Sequence, residues 1–347
     1  MISGQWKCTL RFFQKTVIAM LMPLLVVVFN ASANNTNIFV QCPKATGTPD
    51  HPGANNPGIK CIHLVAGDGM VSMADDQRKE QYVFSFAELP DPPAGIEINT
   101  PEYAGWVMET GLLAANAPAP TIVVDEDDEL FLSLTNVGMA MRPDLFDAHT
   151  VHWHGFPQAA SIFDGVPDVS VAINMASTLT YYYKANDAGT YMYHCHVEAT
   201  EHMQMGMLGS LFVRPRQNKL PDGTILTAKD GSVFVHQMGN TYAFNDGDGS
   251  TRYDVDFPVQ IGSFDPDFHD ASFNVQPLPF AAMKDKYFML NGRGYPDTVE
   301  PGALSTADPL TGNLRPSQPV SSLITAAPGQ RILLRISVTT HPVASKN

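Results

Sequence analysis

The sequence predicts an all-β fold of the sandwich or barrel type, and three observations carry the prediction. Short extended runs alternate with turns between residues 81 and 216, at Tyr82–Phe86, Thr121–Val124, Leu130–Thr135, Thr178–Tyr183, Thr190–Cys195 and Leu208–Val213. Leu130, Leu132 and Leu134 recur at every second residue, which marks the apolar face of a half-buried strand. The chain of 347 residues contains 26 Gly and 27 Pro, the punctuation that many short strands need, and it has room for two domains.

In chain order, residues 1–33 read as a signal peptide. Lys7, Arg11 and Lys15 form a basic region, Thr16 to Phe29 an apolar core, and Ala31-Ser32-Ala33 a small-residue cleavage site. The apolar core is short for a membrane span, so the mature chain is expected to have none. Removing the segment takes away three basic and no acidic residues, moving the formal charge from −14 to −17. So acidic a chain is repelled by nucleic acid and by anionic lipid, and is compatible with a cationic reductant. Residues 34–77 are polar and turn-rich and read as an extension rather than core. Residues 78–216 hold the alternating strands, 217–230 look like a linker, and 231–347 would form a second domain.

An internal repeat supports that division. Ile122 to Thr135 matches Ile324 to Ser337 at a constant offset, with Leu130-Phe-Leu-Ser-Leu-Thr aligned on Ile332-Leu-Leu-Arg-Ile-Ser. Both copies are expected to form the same strand–turn–strand element. The first copy is followed by a much longer stretch than the second, so the second domain is expected to be incomplete.

Chemistry concentrates in two segments, His149-Thr-Val-His152-Trp-His154-Gly and His194-Cys195-His196 followed by His202 and Met207; they hold six of the eleven histidines. One thiolate, imidazoles and a thioether make a soft donor set suited to copper, the His₂Cys plus axial Met of a blue-copper site. Alternate residues of a strand face opposite ways. Cys195 therefore points away from His194 and His196, and His149 away from His152 and His154. One face would collect His149, Cys195, His202 and Met207, the other His152, His154, His194 and His196.

These two motifs, in this order and within one domain-sized stretch, resemble those of the multicopper oxidases, the laccase and ceruloplasmin-like ferroxidase family. The segment Tyr287-Phe-Met-Leu-Asn-Gly-Arg-Gly-Tyr-Pro296 is similar to the family's middle domain. The resemblance implies Greek-key β-sandwich domains of the cupredoxin kind, one complete and one incomplete. It implies a type 1 copper on His149, Cys195, His202 and Met207, which accepts single electrons from a small-molecule or metal-ion reductant. Cys195 and the flanking His194 and His196 would pass them to a trinuclear copper cluster that reduces dioxygen to water. His152 would be a type 2 ligand and His154, His194 and His196 type 3 ligands, which is half of the cluster's set. The other half would come from a further copy of the chain or from a C-terminal domain.

Two alternatives follow from the same residues. A copper nitrite reductase also couples a type 1 site to a second copper, but its design needs only one histidine beside the cysteine. An electron carrier would use the type 1 site alone. With Cys195 assigned to copper and Cys8 removed with the signal peptide, Cys42 and Cys61 remain. In an oxidising compartment, periplasmic or extracellular, they read as a disulfide; the alternative is a second metal site with His51 and His63. Met203 and Met205 read as packing residues beside Met207, the acidic run Asp125 to Asp128 as a solvated turn, and His236 and His269 as packed histidines.

Overall fold

The computed structural model describes residues 38–43, 58–75, 79–156 and 160–338. The expected signal peptide, His51 and His341 lie outside the described residues. Two four-stranded sheets face each other across one core. The first runs β2 (Glu80–Glu88), β1 (Ile59–Ser72), β4 (Glu129–Gly138), β6 (Thr178–Lys184) in that order. The second runs β3 (Ala119–Asp125), β8 (Leu208–Arg214), β7 (Gly189–His194), β5 (His152–His154). Pairing is parallel for β1–β4 and β3–β8 and antiparallel elsewhere in both sheets. This is an all-β sandwich, as the sequence implied. Leu130, Leu132 and Leu134 all point into the core and are fully buried.

One expectation is corrected here. Residues 59–72 are not part of a polar extension: they form β1, the long central strand that pairs with β2 on one side and β4 on the other. Its polar look has a local cause. Asp68 is buried and accepts backbone N–H bonds from Ala140 and Met141, at 2.9 and 2.8 Å. Gly67 sits at a register shift where a Cβ would lie 2.8 Å from Val137 Cγ2, so only glycine lets β1 and the end of β4 approach. Cys42 and Cys61 are joined, with Cα atoms 6.1 Å apart, which ties residues 38–43 to β1 and removes the alternative metal site.

A helix, α1 (Pro101–Gly111), covers the far side of the first sheet. Its start is written in the sequence: the Thr100 side chain accepts from Tyr103 N–H, and Pro101 opens the first turn. Tyr103, Ala104 and Val107 pack on Val65 and Val137 in a second apolar cluster. A short helix α2 (Ala199–Gln204) lies in the loop between β7 and β8.

Beyond β8 the strands are shorter. A hairpin of β9 (Ile225–Thr227) and β10 (Val233–Val235) crosses the expected linker boundary, so residues 217–230 are structured. A ribbon follows, β11 (Thr241–Tyr242) with β12 (Arg252–Tyr253). Next come β13 (Val255–Phe264), α3 (Pro266–Phe273), β14 (Tyr287–Leu290), the hairpin β15 (Leu304–Ala307) with β16 (Leu314–Gln318), and β17 (Ile332–Val338). The three-stranded sheet β14-β13-β17 repeats the pairing of β2-β1-β4, antiparallel on one side and parallel on the other. The repeated element is therefore only half formed in its second copy: β17 matches β4, while Ile324 to Ala327, aligned on β3, are not a strand. The acidic turn also differs from expectation. Glu126 and Asp128 are buried, with Glu126 held by Arg216 at 2.8 Å. No helix among the described residues is long and apolar enough to cross a membrane.

Candidate metal centre

The two histidine segments meet because β5 and β7 are neighbours. His152 lies opposite His194 and His154 opposite Met192 in antiparallel register, so these side chains share one face. Beneath them the core fixes the strand: Trp153 stacks on Tyr183 at 3.7 Å, and Val151 N–H donates to the Tyr181 hydroxyl at 3.1 Å. Just before β5, His149 exchanges two backbone hydrogen bonds with Ile173, at 3.1 and 2.9 Å. That pins His149 on the side opposite His152.

Cys195 follows directly after β7 and is fully buried, turned away from His194. The loop after it closes on itself, with Cys195 N–H to Met207 O at 3.2 Å and Met207 N–H to His202 O at 2.8 Å. Strand β2 holds the loop from outside: Phe84 N–H donates to Met205 O at 3.2 Å, and Ser85 Oγ to Gly206 O at 2.6 Å. Consequently Nδ1 of His202 lies 3.2 Å from Cys195 Sγ, and Nδ1 of His149 lies 3.9 Å from it. Among the described residues, this is the group that brings three donor atoms within 4.8 Å of one another. Met207 and Met205 are buried in the same core, and the Phe84 ring packs edge-on against His202. Met203 instead lines a cavity.

The electrostatics suit a soft cation. Burial, reinforced by the neighbouring His202, holds His149 well below the usual histidine range, so it is neutral with a lone pair to offer. Burial also pulls on His202, yet the Asp147 carboxylate, 3.6 Å from its Nε2, and the Cys195 sulfur outweigh it and push His202 up to about 10. Thr150 N–H donates to Cys195 Sγ at 3.4 Å. Two imidazoles and one sulfur in a dry core fit copper by the chemistry of the donors.

On the opposite face, the rings of His152, His154, His194 and His196 lie with centroids 5.1 to 5.9 Å apart. His152 donates Nδ1–H to Asp164 O at 2.6 Å and His194 donates Nδ1–H to Cys195 O at 2.8 Å, which leaves each Nε2 lone pair free. Burial, with the other three imidazoles adding to it, pulls His194 down to about 4. Asp164 owes its place to Gly165, whose φ of +80° and close approach to the Val151 carbonyl exclude a side chain. A cavity of about 390 Å³ opens beside His154 and His194, with Met203 and Met289 in its wall.

The geometry gathers His149, Cys195 and His202 on one side and the rings of His152, His154, His194 and His196 on the other, with Met207 buried in the core. Sequence reasoning missed Asp147, Glu201, Thr150 and Phe84, which surround the sulfur site. Asp147 lies two residues before a motif histidine, the only local hint of its position.

Residues 103–218 match a family model described as multicopper oxidase. A multicopper oxidase of Talaromyces pinophilus is 36% identical over 103 residues, covering 29% of this chain and 16% of that protein. Laccase-1 of Emericella nidulans is 33% identical over 116 residues, covering 32% of this chain and 17% of that one. The match therefore spans about a sixth of the length of these relatives. Among solved structures, a blue copper oxidase from Nitrosomonas europaea is similar at 23% identity and a TM-score of 0.44, over 72% of this chain and 58% of that one.

Proposed function

We propose, from the premise that residues 103–218 belong to the multicopper oxidase family, that this chain takes single electrons from a reductant through a type 1 copper ion on His149, Cys195, His202 and Met207. His152, His154, His194 and His196 are proposed as half of the ligands of a trinuclear cluster, His152 as type 2 and the others as type 3. Copper, when bound, supplies the one-electron couple and the reduction of dioxygen to water. The chain supplies position and environment. Burial of Cys195 keeps water from the sulfur, and the Thr150 N–H steadies its negative charge. The Nδ1–H bonds of His152 and His194 fix which nitrogen is free to bind. His194 and His196 are bonded through the backbone to Cys195, a short covalent path between the two groups.

The observation that carries the proposal is that opposite facing: one sulfur between two imidazole nitrogens, and four imidazoles on the reverse of the same strands. The division into a copper-bearing domain within 59–216 and a second over 231–347, export from the cell, and completion of the cluster by another copy or a further domain belong to the same proposal. Replacing Cys195 with Ser in copper-loaded protein tests its core. The intense blue charge-transfer band and all oxidase turnover should disappear, and a variant that stays blue overturns the assignment. Copper content measured with oligomer mass tests completion. An isolated monomer is expected to hold the type 1 ion without sustaining dioxygen reduction, and full loading with turnover in a monomer would overturn that part.

A further inference from the structure

His269 lies far from the two histidine motifs in sequence, yet the fold brings it to the back of the loop that carries His202 and Met207. It sits on α3 and is completely buried, with its ring Nδ1 2.5 Å from the Tyr82 carbonyl of β2. Burial pulls the ring down to about 4, against the opposing pull of the Tyr82 and Gln204 backbone, so it is neutral and donates Nδ1–H to Tyr82. Gln204 is the last residue of α2, inside the loop. One side chain from the second half of the chain therefore engages both β2 and the loop that β2 holds. Two residues beyond Tyr82, the Phe84 N–H bonds to Met205 O and the Phe84 ring packs on His202. Neighbouring residues fasten the same seam. Phe268 is fully buried in the core cluster that contains Cys195, Met205 and Met207. Asp270 accepts from Lys79 Nζ at 2.7 Å and from Gln81 Nε2 at 3.1 Å, and Asp285 joins Gln204 Nε2, at 3.4 Å, to Ser263 Oγ, at 2.5 Å. Burying an imidazole costs more than burying an aliphatic side chain unless its polar atoms are used, so packing alone does not call for a histidine here.

We propose that His269 is a positioning residue for the sulfur site: by tying β2 to α2 it holds the loop from Cys195 to Met207 closed, and so sets how firmly His202 and Met207 meet the metal. The inference rests on the copper assignment above and gives the second half of the chain a part in it. His269 touches neither metal nor reductant and acts only through the loop. The axial thioether tunes the potential of a blue-copper site. A loop free to open lets Met207 withdraw, and losing a donor favours the cuprous over the cupric state, so the potential rises.

The test compares, in the full chain, His269→Phe, which keeps a ring and loses the donor, with His269→Asn, which keeps a donor near the place of Nδ1–H. His269→Leu takes the place of the Phe variant if that one fails to fold. In copper-free protein, amide hydrogen exchange over residues 195–207 should quicken about tenfold in the donorless variant, the factor for one lost hydrogen bond, while helix α1 exchanges as in the parent. His269→Asn should restore most of the protection. In copper-loaded protein the donorless variant should show a shifted blue band and a raised reduction potential, and the Asn variant should return both towards the parent. Unchanged loop exchange, equal quickening in the loop and α1, or an Asn variant as loose as the donorless one overturns the proposal. A loosened loop with the parent's spectrum and potential overturns it as well. A parent chain that never turns blue fails the copper assignment, and the exchange rates alone then decide whether His269 holds the loop.

Discussion

Thr150 is tied to Cys195 and to the residue after it: the Thr150 N–H donates to Cys195 Sγ at 3.4 Å, and the Thr150 hydroxyl accepts the N–H of His196 at 3.1 Å. The threonine between the two upstream histidines thus holds both the sulfur and the residue after it. Replacing Thr150 with Val keeps the bond to sulfur and removes the one to His196. The partly buried N–H left behind should cost about 1 kcal/mol of stability. The copper-loaded variant should stay blue, because the sulfur keeps its donor. Chemical denaturation and the visible spectrum check both halves; unchanged stability would mean that the hydroxyl contributes nothing.

The disulfide yields a second expectation. Cys61 lies on the central strand β1, so the bond to Cys42 fastens residues 38–43 to the middle of the first sheet. Closing a loop with a sequence separation of 19 should stabilise the fold by roughly 3 kcal/mol in the chain-entropy estimate. The paired Cys42→Ser, Cys61→Ser variant should unfold at correspondingly lower denaturant while retaining the blue site, which is on the other sheet. A variant as stable as the parent would show that the bond is incidental.

How far the sequence could be read depended on whether a residue's surroundings were local. Strand parity alone separated His149 and Cys195 from the other four histidines, because alternation is a property of a single strand. The same logic found Leu130, Leu132 and Leu134. It failed for β1, where Asp68 and Gly67 make a central strand look like a loop: their reasons are Ala140, Met141 and Val137, far along the chain. The carboxylates at His202 were illegible for the same cause. Asp147 reaches His202 only because the β7–β8 loop folds back beneath it. The start of helix α1, by contrast, is local and legible in Thr100-Pro101-Glu102.

A third expectation concerns acid. His63 sits beneath α1, with Nδ1 2.8 Å from the Tyr103 hydroxyl and Nε2 2.7 Å from Thr135 Oγ1, and burial pulls it down to about 3. In the unfolded chain it would titrate near 6.5. Below that value the unfolded state binds the proton and the folded state does not, so stability falls as pH drops from about 6.5 towards 3. The slope from this one residue approaches about 1.4 kcal/mol per pH unit. Replacing His63 with Gln should lower stability at neutral pH and flatten the acid limb. Parallel acid limbs for the two proteins would show that His63 is protonated in the fold.

The last expectation comes from β17, whose two faces are reversed relative to a buried strand. Arg335 and Ser337 point inward: Arg335 lies over the Phe212 ring at 4.4 Å and pairs with Asp256 at 3.2 Å, and Ser337 Oγ meets Ser210 Oγ at 3.0 Å. Ile332, Leu334, Ile336 and Val338 point outward and are exposed, and Phe288 and Leu290 of β14 are exposed on the same sheet. In the first sandwich the corresponding strand β4 turns its leucines onto a facing sheet; here the described residues place no sheet over that face. A contiguous apolar surface next to an open strand edge promotes self-association. Changing Leu334 and Ile336 to Thr removes apolar surface and places β-branched side chains suited to a strand at both positions. The double variant should be less aggregated by sedimentation velocity at equal concentration, with the blue site and the unfolding midpoint little changed. Unchanged self-association would show that this face is not the sticky surface.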